Sequence, residues 1–105
     1  MPTPRKLWQL DEDLRQRHAD WPAGEVRLRR ELLGLAVRGM RQGIDDDHDL
    51  KRFIERQYLA RHDDRSAGID PTTLILIAKI VLLLLEWWRE NRAERWPIVA
   101  DLEGV

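Results

Sequence analysis

Residues 73–88, TLILIAKIVLLLLEWW, constrain this chain more than any other stretch. Ten of these positions are Leu, Ile or Val, yet Lys79 stands in the middle and Glu86 near the end. A segment this apolar either crosses a membrane or forms the buried axis of a helical protein. Length argues against the first. Leu74 to Trp88 is shorter than the roughly 20 residues that a span needs, and adding Thr72 and Thr73 reaches only the lower limit near 17. The energetics point the same way. Ten aliphatic residues contribute roughly −3 to −6 kcal/mol to insertion, and a central lysine costs about 2.5–3.5 kcal/mol, before Glu86 and the threonines are counted. The sum is close to zero.

The polar residues of the segment share one side. At 3.6 residues per turn, Thr72, Lys79, Glu86 and Glu90 fall within about 40° of one another. Leu83 lies at the edge of this stripe, and the rest of the surface is apolar. A helix buried on about three sides, with one seam reaching water, has this pattern. Trp87 and Trp88 could mark a membrane interface. The reading adopted is that Trp88 is core and Trp87 lies on the flank. Asp70-Pro71 begins the helix, with Asp as the cap and Pro in the first turn. Nothing interrupts the pattern before Trp96-Pro97, so a helix over 71–95 is predicted.

Three further helices are expected. Leu7, Leu10, Leu14, His18 and Trp21 recur at three- and four-residue steps, which predicts a helix over 4–19. Pro22 opens a second, over 22–42, whose wide apolar arc includes Val26, Leu28, Leu32, Leu33, Leu35, Val37 and Met40. Gly34, Gly39 and Gly43 are costly inside a helix, which implies close packing or an end near Gly43. The acidic run at 45–49 suits a helix N-terminus, and a third helix follows over 46–62. It carries Leu50, Phe53, Ile54 and Tyr58 on one side and Leu59 on the other. HDDRSAGID connects it to the last helix, and RENRAER forms a solvated helix end. The expected fold is all-α: a four-helix bundle in one domain, 1–96, followed by a short tail, 97–105, either docked or frayed.

Chemistry is sparse. The 105 residues include no cysteine, so disulfides, thiolate nucleophiles and Cys-based metal sites are excluded. Asp45, Asp47 and Asp49 imitate the start of a calcium loop, but Leu50 replaces its glycine and Arg56 its terminal glutamate; capping explains these aspartates better. Asp45 and His48 have no matching Glu-x-x-His pair elsewhere. His48 and His62 lie about 21 Å apart along a helix and cannot share an ion. His18 sits in an apolar row, the place of a boundary histidine. No metal, cofactor, small-molecule substrate or enzymatic activity is expected.

A net charge of −1 disfavours a general polyanion binder. The arginines at 27, 29, 30, 38, 41, 52 and 56 are interleaved with acids, and the Asp-rich start of the third helix is unsuited to a DNA-reading helix. The 15 arginines against 3 lysines read as the coding bias of a GC-rich bacterial or phage genome. Residues 1–16 lack an apolar run, so no secretory signal is expected, and a cytoplasmic location fits. The apolar arc of the last helix is wider than one small bundle needs. The sequence therefore predicts a non-catalytic assembly or adaptor subunit. Its partner would be itself or another protein, engaged through Leu59, Leu76, Leu83, Leu84, Trp87 and Trp88. Membrane association through 72–88 is the first alternative, and an accessory role in a nucleic-acid complex the second.

Overall fold

A computed structural model describes residues 4–62, 68–91, 93 and 95–105. Among them are five α-helices and no strand: α1 Leu7–Arg17, α2 Val26–Arg41, α3 Asp47–His62, α4 Pro71–Glu90 and α5 Arg95–Asp101. The protein is all-α, as its periodicity requires. Parts of the expected 62–70 connection (63–67) and of the 89–95 helix end (92 and 94) lie outside the described residues.

The boundaries differ from expectation wherever a long-range contact intervenes. Residues 4–6 do not join α1. Their backbone pairs with the C-terminal segment instead: the Glu103 N–H donates to the Arg5 carbonyl (2.7 Å) and the Leu7 N–H to the Glu103 carbonyl (2.9 Å). Gln9 then caps the helix by accepting from the N–H groups of Arg5 (2.9 Å) and Lys6 (3.0 Å). The second helix begins at Val26, not Pro22, after Glu25 turns through a left-handed φ of 53°. Its other end is closed by Gly43, at a φ of 91° that favours glycine.

The tail takes the docked of its two expected forms, and does so as a fifth helix: residues 95–101 form α5, which buries Ile98 and Val99, and Leu102 behind it is buried too. Arg41 of α2 holds this segment by donating to the carbonyls of Val99 and Leu102, both at 2.6 Å. These lie at the helix C-terminus, where carbonyls lack intrahelical partners. The fourth helix stops at Glu90, five residues early. Asn91 closes it through backbone and side-chain donation to the Trp87 carbonyl, and Arg95 donates to the Trp88 carbonyl (2.8 Å) while stacking 4.4 Å above the Trp88 ring.

α2 and α3 meet at Gly39. A Cβ there would lie 2.7 Å from Leu50 and 2.9 Å from Phe53. Leu50 is fully buried and Phe53 nearly so, which leaves little room to yield.

α1 is tied to α2 by a buried polar cluster. Asp11, fully buried, accepts from Arg29 Nε (2.7 Å) and Nη2 (2.6 Å), from the Trp21 indole (2.8 Å) and from Arg30 Nε (3.1 Å). Arg29, itself buried, also donates to the Pro22 carbonyl (2.6 Å). These bonds hold the loop before Val26 out of helix. Burial alone would raise the Asp11 pKa. The hydrogen bonds from Arg29, Trp21 and Arg30, with the Arg29 charge, outweigh that and leave it below its ordinary value of 3.8.

Gly39→Val should lower stability by about 2–3 kcal/mol in urea unfolding, while Gly24→Ala, with nothing near its added Cβ, should change it little. Asp11→Ala should cost about 3–5 kcal/mol, because it strands the buried Arg29 charge. A depressed carboxylate pKa stabilises above the unfolded value and loses that contribution as pH falls through the folded one. The wild type should therefore lose stability below about pH 4, and Asp11→Ala should flatten that acid limb.

Candidate interaction surface on the fourth helix

Asp70 starts α4 by accepting from the Thr73 N–H (3.2 Å) and hydroxyl (2.6 Å), with Pro71 in the first turn. Those bonds place the Asp70 carboxyl below its usual pKa. The helix then turns ten residues inward, from Thr73 through Leu76, Ile77, Ile80, Val81, Leu83, Leu84 and Leu85 to Trp87 and Trp88. They face the broad apolar arc of α2 and narrower faces of α1 and α3 in one continuous core.

This places most of the residues predicted to mediate association inside the chain's own core. Leu76, Leu83, Leu84, Trp87 and Trp88 are all buried. A charge placed at Leu83 would disrupt the fold instead of reporting on an interface. The two tryptophans are also ordered differently from the helical wheel: Trp87 is enclosed, and Trp88 keeps slightly more exposure at the Arg95–Trp96 end. Leu59 is half-buried on α3 and lines an open groove with Ile44, Asp49, Arg52, Glu55 and Arg56.

The outer face of α4 carries Thr72, Lys79, Glu86 and Glu90, all exposed. It also carries exposed aliphatic side chains. Ile75 is 64% exposed and Leu82 57%, and Leu74 beside them is 40% exposed. Ile75 and Leu82 are seven residues apart and alternate with Thr72, Lys79 and Glu86, so the water-facing seam is partly apolar. The signal was present in the sequence: Thr72, Ile75, Lys79, Leu82, Glu86 and Arg89 alternate at steps of three and four. Charged and aliphatic members of this row share one periodicity, so the wheel alone does not show which aliphatics reach water.

The arginines considered for a polyanion surface are divided. Arg29, Arg30 and Arg41 are engaged by Asp11 and by backbone carbonyls, whereas Arg27, Arg38, Arg52 and Arg56 are exposed. His62 pairs with Glu31 across α3 and α2 (2.7 Å). His18 is half-buried, with its Nε2 buried and lacking a hydrogen-bond partner among the described residues. No three acidic or histidine side chains among those residues converge as a metal site would require. No family model matches the chain, and no curated protein or solved structure matches it either.

Proposed function

We propose that this protein is a non-catalytic helical assembly subunit, which associates with itself or with another protein through the outer face of α4. The observation that carries this reading is the exposure of Ile75, Leu82 and Leu74 on one face of the most apolar helix. Isolated exposed aliphatics are ordinary; an aligned pair of strongly exposed ones, flanked by charges, is a usual composition for a contact surface. A cytoplasmic location suits such a role.

A second reading is membrane association through the same face. It draws on α4 being long and apolar enough to cross a membrane by length and composition. Half of that stretch is buried in the chain's own fold, however. Insertion would have to strip α4 of the helices that cover it.

Light scattering coupled to size exclusion, without detergent, tests the first reading. It predicts a species larger than 12.5 kDa that shrinks towards the monomer in Ile75→Ser/Leu82→Ser, with helical content unchanged. A wild-type protein that stays monomeric throughout would overturn self-association.

A further inference from the structure

The seam of α4 has a symmetry that selects its occupant. Thr72, Ile75, Lys79, Leu82, Glu86 and Arg89 follow one another at steps of 3, 4, 3, 4 and 3 residues, the spacing by which one helix lies along another. All six are exposed. Ile75 and Leu82 supply apolar contacts, and neither Lys79 nor Glu86 has an ion-pair partner among the described residues. Lys79 and Glu86 are two turns apart, about 10.5 Å along the axis, and Leu82 lies near their midpoint.

We propose that a second copy of this chain binds here, with the two α4 helices antiparallel about a two-fold axis beside Leu82. This rests on the self-association reading above and specifies its partner and orientation. In that arrangement Lys79 faces the partner's Glu86, and Glu86 faces the partner's Lys79. The two Leu82 side chains meet at the centre. Ile75 packs on the aliphatic stem of the partner's Glu90. A two-fold interface has to be self-complementary, each residue i that meets j being met in turn by i of the other copy. Lys79 and Glu86, three and four residues either side of Leu82, meet that condition, because a two-fold axis between positions 82 and 83 exchanges them.

The charges also select against the alternatives. A parallel pair would set lysine on lysine and glutamate on glutamate, and juxtaposed like charges suppress a pairing. The helix dipoles favour the antiparallel arrangement too. A lipid surface is a poorer match, because interfacial helices carry an excess of Lys and Arg on their polar face. Here Glu86 and Glu90 balance Lys79 and Arg89. With only two strongly exposed aliphatic side chains per copy, the contact falls below the size of stable interfaces. Its dissociation constant should be on the order of 10 μM or weaker.

Sedimentation velocity of the full chain over a concentration series tests the arrangement. Lys79→Glu and Glu86→Lys should each weaken self-association by about tenfold, through like-charge contacts at both crossings. The two variants mixed in equal amounts should recover it, since each then supplies the charge the other lacks. The double variant K79E/E86K should recover it alone. Both positions are exposed, so circular dichroism should show the helical fold retained. Higher ionic strength should narrow the differences among these proteins. Single variants that associate like the wild type, or a mixture that fails to recover, would overturn the antiparallel pairing; persistent oligomers would still leave the assembly reading standing. A wild-type chain that is monomeric at every concentration would overturn both the pairing and self-association, whether or not it floats with phosphatidylcholine–phosphatidylserine vesicles.

Discussion

Covering α4 is the constraint from which the rest of the architecture follows. Ten of its residues are buried, and enclosing one large aliphatic or aromatic side chain stabilises by about 1.5–3 kcal/mol. The remaining sequence is heavily charged, so each other helix offers only a limited apolar face. Leu10 and Leu14 come from α1, and Leu50, Phe53 and Ile54 from α3. Only α2 contributes a wide arc, which is why it lies against both α3 and α4. The short α5 adds Ile98 and Val99. A small chain buries a modest share of its surface, and here nearly every apolar face is used. Among the described residues, the large apolar side chains left exposed are Ile75, Leu82 and Leu74 on α4, with Trp8, Val26 and Trp96 elsewhere.

The polar cluster at Asp11 works differently. A buried ion pair gains little net stability over well-packed aliphatics, yet it is costly to leave half-formed. Its four hydrogen bonds from Trp21, Arg29 and Arg30 have directional requirements that oil does not. They set how α1 crosses α2 and hold the intervening loop. Arg41 does comparable work at the other end, joining α2 to the carbonyls that end α5. Two arginines on one helix thus tie both ends of the chain to the centre.

A solvent-facing seam that interleaves aliphatic and charged side chains suits reversible contact. Purely aliphatic, it would invite indiscriminate aggregation; purely charged, it would offer no area worth burying. The interleaving of Lys79 and Glu86 with Ile75 and Leu82 limits stickiness and confers direction on any helix that lies along it.

By itself the sequence determined the all-α class and the capped start of α4 at Asp70-Pro71. It also determined the inward run of the apolar helix and the side on which Thr72, Lys79, Glu86 and Glu90 meet water. Each of these is set by local periodicity and by backbone groups within one turn. Tertiary structure decided the rest. That residues 95–101 are a core helix depends on Arg41, more than fifty positions away. That Asp11 is buried depends on Arg29 and Trp21, although its place between Leu7 and Leu14 on an apolar row was a readable hint. Which of α4's apolar residues stay in water depends on how far its neighbours reach around it. A helical wheel gives a side chain's direction; only the arrangement of the other helices gives what stands in that direction.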